Sequence, residues 1–152
     1  MRIVPSLFFA ALLLLHAGWA AAQDAAMDEN ARQEGQGTAE ATFAGGCFWC
    51  VEADFEKLDG VREAVSGYAG GEEPDPSYDQ VASGNTGHRE AVRVLYDPDT
   101  ISYADLVDHF WHTVDPTDPG GSFVDRGHQY TSAIFYHDEE QKRIAEESRR
   151  VL

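Results

Sequence analysis

The sequence predicts a two-layer α/β domain of the α+β kind, with helices packed on one sheet of mixed strand direction. Three observations point there. Strand-like and helix-like stretches alternate from residue 40 onward, glycine-rich turns separate them, and their order reads β-α-β-loop-β-α-β-α. The chain's 152 residues suffice for one such domain and not comfortably for two.

Each element has its own signal. "EATFAGG" (40–46) reads as a short strand ending in two glycines. "CFWCVEADFEKL" places Phe48, Val51, Phe55 and Leu58 at helical spacing, so Cys47 falls at a strand-to-helix turn. "VREAVSGYAGG" (61–71) is a second strand or irregular hairpin arm. Residues 72–87 are broken by Pro74, Pro76, Gly84 and Gly87 and read as loop. "HREAVRVLYDP" (88–98) is a strand: His88, Glu90, Val92, Val94 and Tyr96 share one face, Arg89, Ala91, Arg93 and Leu95 the other. "SYADLVDHFWHTV" is an amphipathic helix with Ser102 as N-cap and Asp105 three positions on. Its stripe is Leu106, Val107, Phe110, Trp111 and Val114, which leaves His109 and His112 to solvent. A turn-rich loop (115–129), a strand "YTSAIFYH" and a helix "DEEQKRIAEESRRVL" follow, the last with acids first and bases last, as the helix dipole favours.

The start of the chain is of another kind. Arg2, an apolar run and then small residues read as an export signal over 1–22, cut after Ala22, which places the protein in the periplasm; the alternative is an uncleaved membrane anchor. Residues 23–39 read as a disordered linker. The domain is expected over 40–152, and since the chain stops in its last helix without a closing segment, C-terminal truncation is among the expectations. The formal net charge of −16 is spread along the folded part, which argues against nucleic acid or anionic lipid as partners.

Both cysteines, Cys47 and Cys50, lie in "GGCFWC". A C-x-x-C pair can be half a zinc site, a static disulfide or a redox pair. Zinc wants two further ligands; His109 and His112 are read more simply as a helix's solvent side, and no second Cys pair exists. A disulfide closing so short a loop removes little chain entropy. Redox chemistry fits best, because a thiolate at a helix N-terminus is stabilised by the dipole while a neighbouring thiol resolves it. Phe48 and Trp49 between them read either as core residues or as an apolar wall beside the sulfur.

"GGCFWC", "GYAGG", "SYDQVASGNTGHRE", "DPT" and "FVDRGHQYTSAIFY", in this order from Thr42 to His137, closely resemble the A-type peptide methionine sulfoxide reductases, in a variant with a GCFWC motif. The resemblance implies a ferredoxin-like core and reduction of methionine sulfoxide, free or in proteins, with preference for the S epimer. It implies Cys47 as the nucleophile that becomes a sulfenic acid and Glu90 as the acid. Glu90's position on the strand face of Val92 and Val94 agrees with a desolvated carboxyl, and Glu52 is the rival acid. It implies Tyr78 and Tyr130 as donors to the sulfoxide oxygen, Asp125 as a residue orienting substrate or water, and Phe48 and Trp49 as the cradle of the S-methyl group. Cys50, the only other thiol, would resolve Cys47, and a thioredoxin-like dithiol would reduce the disulfide. No metal or cofactor is called for, and a monomer is expected. Two rival readings are a general thiol–disulfide oxidoreductase and an exported non-enzymatic module held by a C-x-x-C disulfide.

Overall fold

The computed structural model describes residues Gly37–Leu152; the expected signal segment and the expected linker up to residue 36 lie outside them. Strand β1 (Ala39–Ala44) starts one residue inside the expected linker, with Ala39 already paired to Tyr96. The chain continues through α1 (Phe48–Phe55), β2 (Val61–Ala69), α2 (Tyr78–Ala82), β3 (Arg89–Tyr96) and α3 (Tyr103–Thr113). Two short strands, β4 (Gly121–Ser122) and β5 (Asp125–Arg126), a 3-10 turn (His128–Tyr130), β6 (Ala133–Phe135) and α4 (Glu139–Arg149) complete it.

The main sheet has the order β2-β3-β1-β6. Each crossover, β1-α1-β2 and β3-α3-β6, skips one position, and a strand of the other crossover fills the gap. This is the split βαβ arrangement of the ferredoxin-like core. It also corrects the expected strand direction. A strand slotted between two parallel partners runs against both, so every pairing in the sheet is antiparallel rather than mixed.

Alternation decides which face is buried. Ala41 and Phe43 of β1 and Val92, Val94 and Tyr96 of β3 point to one face, where α1 supplies Val51 and Phe55 and α3 supplies Leu106, Val107 and Phe110. Phe43 stacks on Phe55 at 4.8 Å and meets Phe110 at 5.1 Å. Burying each such side chain contributes about 1.5–3 kcal/mol. The Ser102–Asp105 capping box starts α3 as the sequence indicates. Helix α4 is capped by Asp138, lays Ile144 against the core and joins α3 through Trp111, whose Nε1 donates to Ser148 Oγ at 3.0 Å. Among the described residues no helix is long and apolar enough to cross a membrane.

Three local expectations change. The 72–87 loop contains α2, started by a Ser77–Gln80 capping box. The 115–129 loop contains the β4–β5 hairpin, turned by Phe123 in the left-handed region at φ 51°. His109 is half-buried, its ring edge against Phe55 at 5.4 Å, because α1 covers that side of α3; His112 stays exposed.

Candidate active site

The two glycines before Cys47 set its position for different reasons. A Cβ on Gly45 would lie 2.3 Å from Val114 Cγ1, so only glycine lets the chain pass this close to α3. Gly46 has φ +92°, a turn that other residues adopt only with strain. Its N–H donates to the Tyr130 carbonyl at 3.0 Å. The chain then enters α1 with Cys47 as N-cap, extended and half-buried.

The first turn of a helix leaves N–H groups without partners inside the helix. Here two carboxylates from distant parts of the chain take them. The Cys47 N–H donates to Asp125 Oδ2 at 3.3 Å, and the Phe48 N–H donates to Glu90 Oε2 at 3.0 Å. Glu90, on the interior strand β3, is only 2% exposed. Burial pushes its carboxyl up from the usual range; the Phe48 N–H pulls the other way, and Asp125 adds a further push upward. The outcome is a carboxyl that holds its proton more tightly than an ordinary glutamate, which is what a proton donor at this place requires. Glu52 is no equal of it: its Oε2 accepts the Ser66 N–H at 2.6 Å, which ties it to the backbone of β2.

Four aromatic rings form a cluster beside Cys47. Phe48 meets Trp49 at 5.4 Å, Tyr68 at 5.8 Å and Tyr78 at 6.3 Å, and Trp49 stacks on Tyr78 at 5.9 Å. The expected apolar wall is therefore divided. Phe48, 5% exposed, is a floor continuous with the core, while Trp49, 61% exposed, stands as a rim. Tyr130 enters from the 3-10 turn; burial, then Glu90, Tyr78, Asp125 and Cys47, raise its phenol. Tyr68 faces Glu90 across the β2–β3 register, and burial followed by Glu90 and Tyr78 raises its phenol too. Raised phenols remain O–H donors across the physiological range.

Cys50 lies one turn into α1, exposed, with its N–H on the Cys47 carbonyl at 3.0 Å. Partial desolvation and then the neighbouring Cys47, with Asp125 and Asp54 behind it, push its thiol up. Among the described residues no three His, Cys, Asp or Glu side chains gather where they could hold a metal ion.

All eight residues singled out in the sequence thus lie on the segments that meet around the start of α1. Tyr68 is the ring that residue-by-residue reading missed; its signal was the "GYAGG" stretch. A thiol, a buried carboxyl of raised proton affinity and phenols stand around one apolar floor, and comparison with known proteins decides the family. The family model described as peptide methionine sulfoxide reductase matches residues 39–152. The chain belongs to the peptide methionine sulfoxide reductases. A relative from Bacillus velezensis, named peptide methionine sulfoxide reductase MsrA, is 53% identical over 112 residues, 74% of this chain and 63% of its own length. A Streptococcus uberis protein of the same name is 56% identical over 112 residues, 74% of this chain and 66% of its own. The chain therefore spans slightly less than two thirds of the length of these family members. Among solved structures, methionine sulfoxide reductase A of Corynebacterium diphtheriae superposes with a TM-score of 0.70 at 34% identity, covering 76% of this chain and 55% of that one. Mxr1 from Saccharomyces cerevisiae in its reduced form gives 0.67 at 34% identity, covering 75% and 70%.

Proposed function

We propose that the chain reduces methionine S-sulfoxide, free or in proteins, to methionine. One observation carries the reading: a buried carboxyl of raised proton affinity is fixed by the Phe48 N–H, one residue from a half-buried thiol at the same helix start.

The Cys47 thiolate attacks the electrophilic sulfur while Glu90 delivers a proton to the sulfoxide oxygen, a poor leaving group without it. Tyr78 and Tyr130 donate to that oxygen, and the S-methyl group lies on Phe48 against Trp49. Asp125, which holds the Cys47 N–H, orients the substrate or water in the pocket. The oxygen passes to Cys47 as a sulfenic acid, and the thioether leaves with the electron pair; the sulfoxide is reduced by two electrons and Cys47 is oxidised by two. Cys50 then attacks the Cys47 sulfur, releasing water and forming a disulfide. An external dithiol of the thioredoxin kind reduces the disulfide.

The test is epimer-resolved turnover of a methionine sulfoxide substrate with thioredoxin as reductant. The S epimer alone should be consumed, Cys47→Ser should be inactive, and Cys50→Ser should give one product per protein and stop. An active Cys47→Ser variant would overturn the assignment of the nucleophile. Disulfide exchange without sulfoxide consumption would favour the general oxidoreductase instead.

A further inference from the structure

The segment 128–131 makes four consecutive ties, each to a different part of the site. His128 Nε2 meets the Gly87 carbonyl at 3.1 Å, just ahead of β3. Gln129, buried, donates from Nε2 to the Ala82 carbonyl at 2.8 Å, the last residue of the helix that begins with Tyr78. The Tyr130 carbonyl accepts the Gly46 N–H at 3.0 Å, next to Cys47. Thr131 Oγ1 accepts from Arg89 Nε at 2.9 Å, and Arg89 is the neighbour of Glu90. The same hydroxyl donates to the His128 carbonyl at 2.7 Å and closes the turn on itself.

We infer that this turn is the positioning element of the site and that Thr131, with Arg89, is a positioning residue acting through Tyr130. Neither touches the reacting atoms. Alternation places the Arg89 side chain on the sheet face opposite Glu90, and Thr131 follows the tyrosine rather than lining the pocket. The bond between them nonetheless joins the neighbours of the acid and of the phenol. One side-chain oxygen, accepting from a guanidinium while donating to a carbonyl, fixes where the Tyr130 backbone lies relative to β3 and to Gly46. A displacement of about 1 Å from such a loss is enough to lower a catalytic rate by one to two powers of ten.

The inference rests on the proposed reductase reading for its effect on rate, but not for its effect on structure. Thr131→Val removes the hydroxyl at nearly constant volume, and Thr131→Ser retains it. In Thr131→Val, kcat/KM for methionine sulfoxide should fall about tenfold, mainly in kcat, and Thr131→Ser should restore it. Arg89→Met should match Thr131→Val, and the double variant should be no worse than either. Independently of activity, amide hydrogen exchange at Gly46 should quicken about tenfold in Thr131→Val while Val92 in β3 keeps its protection. Unchanged Gly46 exchange in Thr131→Val overturns the inference whatever the activity does. If the parent protein shows no sulfoxide turnover, the functional reading fails, and Gly46 exchange still decides this one.

Discussion

Two clusters of aromatic rings share one domain and do opposite things. Phe43, Phe55, Tyr103 and Phe110 pair at centroid distances of 4.8 to 6.3 Å, and Phe48, Trp49, Tyr68 and Tyr78 at 5.4 to 6.3 Å. Ring geometry does not separate them. Cover does: the first lies under α1 and α3 and is closed on all sides, while the second runs from buried Phe48 to exposed Trp49. The first cluster stabilises by excluding water. The second is left partly uncovered and is bounded by Glu90, whose carboxyl accepts the Phe48 N–H. Ring pairs, then, become a core or a cleft according to whether another layer lies on top of them.

The comparison can be broken from either side. Phe43→Ala should cost about 3–5 kcal/mol, since a fully closed cluster leaves a cavity that cannot collapse. Such a loss is a large fraction of a typical domain's stability, and urea denaturation would show it as a large fall in midpoint. A fall below about 1 kcal/mol would mean the core cluster is as open as the pocket.

Glu90→Gln should divide the two properties. Turnover of methionine sulfoxide should drop at least about a hundredfold, because the proposed acid can no longer deliver a proton. Stability should move the other way, with a definite sign. The folded chain holds the Glu90 proton more tightly than the unfolded chain does, so the group favours folding at low pH. That contribution fades as pH rises through the raised folded value. Glutamine never ionises, so the variant should melt at a higher temperature than the parent at pH 8, and this advantage should shrink as pH falls and vanish below the ordinary glutamate value. A variant less stable than the parent at pH 8 would mean that the carboxylate is not desolvated as described. By the same argument, kcat/KM of the parent should decline above the Glu90 pKa. Smallest of the three, Trp49→Ala should raise KM about tenfold, the worth of one aromatic contact, with the melting temperature almost unchanged.

Long regular elements were legible because their signals are periodic. Strand β3 keeps one face continuous, with Glu90, Val92, Val94 and Tyr96 all buried, so the burial of Glu90 could be read from Val92 and Val94. Helix α3 carries both its stripe and its capping box. Strand β2 hid Tyr68 because only Ala64 of its nine residues is buried, so no alternation of burial assigns its faces. The two-residue strands β4 and β5 are shorter than any period, so the hairpin that delivers Asp125 read as loop. Ser77 and Gln80 did spell a capping box, but a five-residue helix has no stripe to support it. The ties from Gln129 and Thr131 join residues 47 and 42 positions apart, which no local pattern encodes.

The bonds at the start of α1 also bear on the order in which the molecule is built. Phe48 and Glu90 are 42 residues apart in the chain, and Cys47 and Asp125 are 78 apart. Near-doubling of such a loop adds about 0.6 kcal/mol of closure entropy, and contacts of long sequence separation slow folding. The acid can reach the helix start as soon as β1, β2 and β3 have joined, since that needs nothing beyond residue 96. Asp125 and Tyr130 have to wait for the later half of the chain. In a newly made molecule the scaffold and Glu90 can therefore come together before Asp125 and Tyr130 join them.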